Sequence, residues 1–421
     1  MDAIILSIGS ELALGETIDT NSAWLAQRLA EIGVGVLRHV TVGDDIKPIR
    51  RQIEQACGEA DVVLITGGLG PTADDLTRQA LAAAMGVELV LRPEWVEKIR
   101  SFFACRGRSM PQANAIQAQF PAGSEPIENT CGTAPGIRAS LGRSMVFAMP
   151  GVPREMREMF ERSVRPMLAE RTGGAVLIAT VLNCFGAGES DIGQQIDDLM
   201  QRGRNPTVGT TAKQGVIGVR IHSRGRSAAE ARKLLEATEQ EVRRRLGTLI
   251  YGRDSETLSD AVARLLVEGG KTVSVAESCT GGLIAKRLTD VPGSSRYFRA
   301  GLVTYANEAK TMWLGVPADL IAGHGAVSEP VARAMAEACR RLNATDYAIG
   351  VTGIAGPEGG TADKPVGLVF ISLADAAGCR VTRHLFGDFL NRGEIRERAA
   401  STAMNLLRLR LMARGGQACS A

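Results

Sequence analysis

Short β-branched runs that alternate with helix-length amphipathic segments constrain this chain more tightly than any other feature. Ala3 to Ile8, Val34 to Val42 and Asp61 to Thr66 read as strands. Between them, Trp24, Leu25, Leu29 and Ile32 recur at helical spacing behind a Thr20-Asn21-Ser22 cap, and Lys47 to Ala60 reads as a second helix. Strands that are apolar on both faces must be covered on both, and right-handed crossovers place the covering helices there. The expectation is a doubly wound α/β sheet with ligands beyond the carboxyl ends of its strands.

Where the third strand ends, the chain reads Gly67-Gly68-Leu69-Gly70-Pro71-Thr72-Ala73-Asp74-Asp75-Leu76-Thr77. The glycines let main chain approach a ligand, and a helix beginning near Thr72 would offer amides to a phosphate. Asp74 and Asp75 are candidate ligands for a divalent cation that bridges phosphate oxygens. The plainer alternative is that they complement the helix dipole. The third glycine of Gly-x-Gly-x-x-Gly is missing and no Lys-Ser/Thr pair follows, so neither the dinucleotide fingerprint nor a P-loop is present. A further strand, Ser144 to Met149, leads into Pro150-Gly151-Val152-Pro153, a rigid turn suited to be the second wall of the same pocket.

From Gly173 the character changes to strand (Val176 to Cys184), helix (Glu189 to Met200), strand (Gly215 to Ser223) and a long charged helix (Ala228 to Leu246). This reads as a small α+β module. Gly215-Val216-Ile217-Gly218 superficially matches the Gly-x-x-Gly loop of KH domains, but its apolar middle lies inside a strand pattern, which argues against an RNA-binding loop.

A new domain starts near Asp254 with a helix capped by Thr257. In it, Val275-Ala276-Glu277-Ser278-Cys279-Thr280-Gly281-Gly282 joins a strand from Thr272 to a helix from Leu283. Hydroxyls and amides around one small concavity suit an oxyanion, although the same residue types also serve as caps and turns. Ser278 is the candidate nucleophile. A strand from Ala300 delivers Tyr305 to Lys310, and one from Tyr347 ends in Thr352-Gly353. None of the four histidines sits at such a corner; His324 is the nearest and belongs to a turn. Lys310 can serve as the base if burial lowers its pKa. Spacing alone leaves open that it binds a phosphate instead.

The 421 residues suit two to four domains, and 45% hydrophobic content supports real cores. With 49 basic and 46 acidic side chains there is no electrostatic footprint for non-specific nucleic-acid binding. Cysteines at 57, 105, 131, 184, 279, 339, 379 and 419 stand singly, which suggests neither a zinc site nor a disulfide framework. The chain opens directly on a strand without a signal-peptide pattern, and no apolar run reaches the ~18 residues of a membrane span. The expected location is the cytoplasm.

Ala276 to Gly282, Gly301 to Lys310, Gly325 to Pro330 and Thr352 to Gly360 together resemble the carboxy-terminal domain of CinA proteins, the nicotinamide-nucleotide amidase (PncC-type) domain. Gly67 to Thr77, Cys131 to Gly136 and Pro150 to Glu155 resemble their amino-terminal molybdopterin-binding-like (MoaB/MogA-like) domain. The resemblance spans essentially the whole chain. It implies two α/β sandwich domains joined by a small α+β KH-like module, over residues 1–170, 171–253 and 254–415.

The resemblance also implies an activity: nicotinamide mononucleotide and water give nicotinic acid mononucleotide and ammonia, in NAD recycling and without a cofactor. Ser278 would attack the carboxamide, Lys310 would accept and return the proton, and Tyr305 would support the pair. Cys279, Thr280, Gly281, Gly282, Asn307, Thr352 and Gly353 would line the substrate, with the oxyanion donors left open between Thr280–Gly282 and Thr352-Gly353. For the first domain it implies a nucleotide pyrophosphate site at Gly67, Gly68, Gly70, Pro71, Thr72, Asp74, Asp75, Thr77, Pro150 and Gly151. ADP-ribose would be hydrolysed there with divalent Mg, Mn or Co, helped by potassium, with Asp75 and Asp74 as metal ligands.

One departure bears on that second activity. After Met110-Pro111 the family has Glu-Asn-Asn-x-Lys-Gln-Ala, where this chain has Gln112-Ala113-Asn114-Ala115-Ile116-Gln117-Ala118. A carboxylate for metal and a lysine for phosphate are lost. A homodimer with small-molecule nucleotide ligands and no membrane or direct nucleic-acid partner is implied. The alternatives are a chain that is mainly a metal-dependent ADP-ribose pyrophosphatase, or a non-catalytic competence or DNA-damage-associated protein.

Overall fold

The computed structural model describes residues 1–173 and 176–418; Cys419 lies outside the described residues. The chain forms two compact units, one of Met1–Ile178 with His222–Glu236 and one of Ala179–Ile221 with the chain from Ala237 onward. The stretch expected as one linking module is divided between them.

In the first unit the strands are β1 (Asp2–Ile8), β2 (Gly35–Val42), β3 (Val62–Thr66), β4 (Leu89–Leu91), β5 (Gln119–Pro121), β6 (Glu125–Ile127), β7 (Gly136–Leu141) and β8 (Ser144–Met149). The main sheet runs β2-β1-β3-β8-β7-β6, and β4 and β5 form a separate ribbon. β2, β1, β3 and β8 are parallel, with β1, β3 and β8 buried on both faces and edge strand β2 half exposed, whereas β7 pairs antiparallel with β8 and β6 antiparallel with β7. Strand alternation splits the core in two: Ile4, Leu6, Val63 and Ile65 pack on one face, and Ala3, Ile5, Val62 and Leu64 on the other. The first long helix, Thr20–Glu31, is capped by Asp19, whose carboxylate accepts from the Ser22 amide at 2.9 Å, and not by the Thr20-Asn21-Ser22 run. An ionised oxygen one residue earlier is the better acceptor for the free amides.

In the middle of the chain β9 (Val176–Cys184), β10 (Thr207–Lys213), β11 (Val216–Gly225) and β12 (Ile250–Arg253) form a sheet in the order β10-β11-β9-β12. Val216 to Gly218 lie inside β11, so this Gly-x-x-Gly is strand rather than loop.

The last sheet contains β13 (Val273–Glu277), β14 (Phe298–Val303), β15 (Tyr347–Gly353), β16 (Leu368–Asp375) and β17 (Gly378–Leu385), ordered β14-β13-β15-β16-β17. β14, β13 and β15 are parallel, and β16 and β17 are antiparallel. β14 ends at Val303, two residues before the expected Tyr305. Helix Leu258–Glu268, with Thr257 and Asp260 in a capping box, and the long helix Arg392–Ala418 bury their apolar faces against this sheet. Among the described residues no helix is long and apolar enough to cross a membrane.

Candidate active site

β13 lies between two parallel neighbours, so the residue that follows it emerges at the carboxyl edge of the sheet, flanked by the ends of β14 and β15. That residue is Ser278. Its amide donates to the Val351 carbonyl at 2.9 Å, and the Glu277 carbonyl accepts from the Thr304 amide at 2.9 Å, so the corner is sewn to both neighbours. The chain then reverses through Gly281 and Gly282 at φ of 59° and 90°, a conformation that favours glycine, into helix Leu283–Thr289.

Glu277 closes this turn. It is fully buried, and its two oxygens accept from the amides of Gly282 at 3.0 Å, Ile284 at 3.1 Å and Ala285 at 2.8 Å. A buried carboxylate thus takes up the unpaired amides of the helix start, where its negative charge meets the positive end of the helix dipole. Sequence reasoning gave Glu277 no role, although a lone carboxylate ending an apolar strand just before a glycine turn was a usable signal.

Lys310 comes from helix Asn307–Leu314 and is 1% exposed. Its Nζ stands 3.3 Å from Ser278 Oγ and donates to the carbonyls of Thr304 at 3.0 Å and Tyr305 at 3.1 Å, with Ala306 at 3.5 Å. Burial lowers its pKa below the ordinary lysine value, partly opposed by Cys279 and Glu308. No carboxylate pairs with it among the described residues. With two protons on the Thr304 and Tyr305 carbonyls, a neutral amine turns its lone pair towards the serine hydroxyl. The neighbouring Cys279 thiol is pushed up to about 12 by burial, which leaves it protonated and unreactive.

The other expected residues fall around this pair in different roles. Tyr305 reaches Lys310 through its main-chain carbonyl; its side chain is exposed, with the hydroxyl on the Arg392 guanidinium. The Gly281 amide donates to the Ser278 carbonyl and that of Gly282 to Glu277, so both are occupied. The amides of Cys279 and Thr280 make no hydrogen bond to another residue among the described residues and are the available donors of the turn. Thr352 Oγ1 donates to the Ala326 carbonyl, and Gly353 closes β15 against Val369. Asn307 opens its helix from an exposed position. His324 holds Lys364 through its carbonyl and takes no part in the corner.

Three further residues, Thr304, Arg392 and Arg396, were not foreseen, while Thr280 was expected at the substrate. The hydroxyls of Thr280 and Thr304 are buried without partners on either side of the pair. Arg396 donates to the Thr280 carbonyl at 2.8 Å, and Arg392 to the Gly356 carbonyl at 2.7 Å. Both arginines lie one helical turn apart on a helix distant in sequence, so no local motif marks them.

In the first unit the glycine loop and the proline turn do meet. A cleft of about 430 Å³ is lined by Gly67, Gly68, Gly70, Pro71, Thr72, Asp74, Asp75, Pro150 and Gly151. Gly67, at φ 103°, passes so close to β1 that a Cβ there would stand 2.1 Å from the Ile8 carbonyl oxygen. The helix begins at Thr77 rather than near Thr72. Asp75 sets that difference: its oxygens accept from the amides of Gly70 at 2.6 Å and Thr72 at 2.8 Å, and from the Thr72 hydroxyl. Thr77 Oγ1 donates to the Gly67 carbonyl at 2.7 Å. Beneath the loop lies Arg78, fully buried, with its guanidinium on the carbonyls of Leu69 and Gly70. Burial lowers its pKa to about 10, with Asp75 opposing.

The charged side chains lining the cleft are carboxylates: Glu11, Asp44, Asp74, Asp75 and Glu155. Among the described residues no three His, Cys, Asp or Glu side chains are grouped so as to hold a metal ion. Gln112 to Ala118 form a 3-10 turn in which buried Gln117 reaches the cleft wall.

A glycine-loop α/β domain followed by a small sheet module and a second α/β domain with a buried serine–lysine corner defines a class of composite chains. The family descriptions agree: "Probable molybdopterin binding domain" matches residues 4–170, "Damage-inducible protein CinA KH domain" 179–252 and "CinA C-terminal domain" 255–411. The CinA-like protein of Geobacter metallireducens is 47% identical over 414 residues, covering 98% of this chain and 100% of that protein. Its counterpart in Geobacter sulfurreducens is 46% identical over 413 residues, with the same coverage. A solved competence/damage-inducible protein from Agrobacterium tumefaciens is 40% identical, with a TM-score of 0.35, covering 37% of this chain and 96% of that one. The chain belongs to the CinA family.

Proposed function

We propose that the last domain is an amidohydrolase that converts nicotinamide mononucleotide to nicotinic acid mononucleotide and ammonia. The observation that carries the chemistry is the 3.3 Å approach of a buried, carboxylate-free lysine to the Ser278 hydroxyl. The substrate is taken from the resemblance of the four motifs around it.

In this reaction Ser278 Oγ–H gives its proton to the neutral Lys310 amine as Oγ bonds to the carboxamide carbon. The oxygen of the tetrahedral intermediate takes its negative charge towards the available Cys279 and Thr280 amides. Lys310, now an ammonium, protonates the leaving nitrogen, the C–N bond breaks and ammonia departs. Water repeats the sequence on the acyl-serine: Lys310 takes its proton, hydroxide adds to the carbonyl, and Ser278 leaves with the proton returned. Tyr305 contributes its carbonyl, which holds one lysine proton. Arg396, held on the Thr280 carbonyl, and Arg392, held on the Gly356 carbonyl, are the cations we assign to a substrate phosphate.

The cleft of the first unit belongs to the proposal as a nucleotide-binding pocket. Its glycines let main chain approach a ligand, but the Gly70 and Thr72 amides are taken by Asp75, the charged lining side chains are carboxylates, and the residues present do not form a ready set for a divalent ion. No hydrolytic step through a metal follows from this geometry.

The test is ammonia release from nicotinamide mononucleotide by the full chain. Ser278→Ala is expected to cut turnover by about three orders of magnitude or more while thermal unfolding stays unchanged. Wild-type turnover in that variant would sink the mechanism.

A further inference from the structure

The largest cavity described lies wholly within the second unit, about 1200 Å³, and neither Ser278, Lys310 nor the Cys279–Gly282 turn lines it. Its walls are residues 185–191, the turn at 212–217, the end of β17 and the first turns of helix Arg392–Ala418. That volume lies somewhat above the ~300–1,000 Å³ of small-molecule pockets and leaves room for a ligand of dinucleotide size.

Besides aliphatic and neutral polar residues, three kinds of side chain in its wall can select a ligand. Phe185 and Phe386 offer aromatic surface, and Phe386 is already stacked on His384, with centroids 5.7 Å apart and planes 6° from parallel. Four carboxylates share the wall: Glu189, Asp191, Glu394 and Glu397. Glu397 is paired with Arg287, whereas the other three accept only from neutral donors, the Thr210 hydroxyl and the amides of Gly188 and Asn391. Their charges are therefore not neutralised. Lys213 and Arg398 also line the cavity, and among the described residues neither has an ion-pair partner. Arg398 lies over Gly215 beside the Phe185 ring, its Nε 3.9 Å from where a Cβ of Gly215 would stand.

A plain anion would meet three uncompensated carboxylates, and a plain cation would meet two free basic groups. A ligand with both charges and an aromatic ring satisfies the wall. We propose that this cavity binds a pyridinium nucleotide. The cationic ring lies against the phenylalanines and the carboxylates, and the phosphates reach Lys213 and Arg398. A longer polyanion is disfavoured, because an extended backbone would have to run past the carboxylates. The assignment does not depend on the amidase reading, and its test reads binding alone.

The experiment is calorimetric titration of the full chain with NAD⁺, NADH and AMP. NAD⁺ is expected to bind at least tenfold more tightly than NADH, whose dihydropyridine ring is neutral, and than AMP, which lacks the ring. The pair Lys213→Glu with Arg398→Glu is expected to weaken NAD⁺ at least tenfold, and Phe386→Ala likewise, with ammonia release from nicotinamide mononucleotide unchanged. Lys213 is exposed and Arg398 half-buried, and unchanged circular dichroism will establish that the double variant is folded. No NAD⁺ binding by the wild type, equal binding of NADH, or undiminished NAD⁺ binding by the variants overturns the proposal. So does loss of that binding on Asp75→Asn, which would place it in the other unit.

Discussion

The Ser278 corner and the Gly67–Thr77 loop are built from the same parts and differ in where a buried cation points. Each follows a parallel strand, each turns on left-handed glycines, and each folds a carboxylate back onto its own amides: Glu277 in one, Asp75 in the other. Each also hides a basic side chain. Lys310 points its nitrogen at a hydroxyl, whereas Arg78 spends its donors on the loop carbonyls. The first arrangement leaves a proton acceptor beside a nucleophile. The second leaves a shaped backbone with nothing to move a proton. Identical devices thus yield a reactive site or a binding surface according to one contact.

Removing the two cations is the most direct way to break that comparison. Lys310→Met should lower ammonia release by about three orders of magnitude, within the range of losing a general base. Before that loss, the wild-type rate should rise with pH, because the neutral amine is the active form. The midpoint should fall below the ordinary lysine value of 10.5, since burial favours the uncharged state. A rate independent of pH up to that value would deny Lys310 the role of base.

Glu277→Gln tests the shared carboxylate device. The amide keeps one acceptor oxygen and sets an NH₂ against main-chain amides, so the turn shifts. We expect kcat to fall about tenfold to a hundredfold with KM within about twofold, because orientation and not substrate contact is lost. A change confined to KM would instead make Glu277 a binding residue.

Arg78→Met should have the smallest effect and a different kind. Ammonia release should be unaffected, while urea unfolding of the first unit loses about 1–3 kcal/mol as the Leu69 and Gly70 carbonyls lose their donors. Unchanged stability would show that the loop holds without its guanidinium.

Sequence alone exposed the parts of this molecule governed by local rules. The doubly buried strands β1, β3 and β8, the helix over Ala228–Leu246 and the capping box at Thr257 are written within a few residues of where they act. So is the serine corner, since nucleophile and turn are contiguous. What stayed hidden depends on partners far along the chain. The antiparallel strands β6, β7 and β17 are short or half exposed and lack a continuous apolar run. Arg396 reaches the Thr280 carbonyl across 116 residues and Arg392 the Gly356 carbonyl across 36, so spacing carried no trace of them. Asp75 was read as a metal ligand from its neighbours in sequence, and the fold shows those oxygens turned inward on Gly70 and Thr72.

Glu277 has one more consequence, for how the corner tolerates change. Its oxygens join the end of β13 to the first turn of the next helix, so Glu277, Gly281 and Gly282 move with Ser278 as one rigid block. A map of mutational tolerance across the last domain would then show not a single forbidden position but a short forbidden segment, most of whose members never touch the substrate.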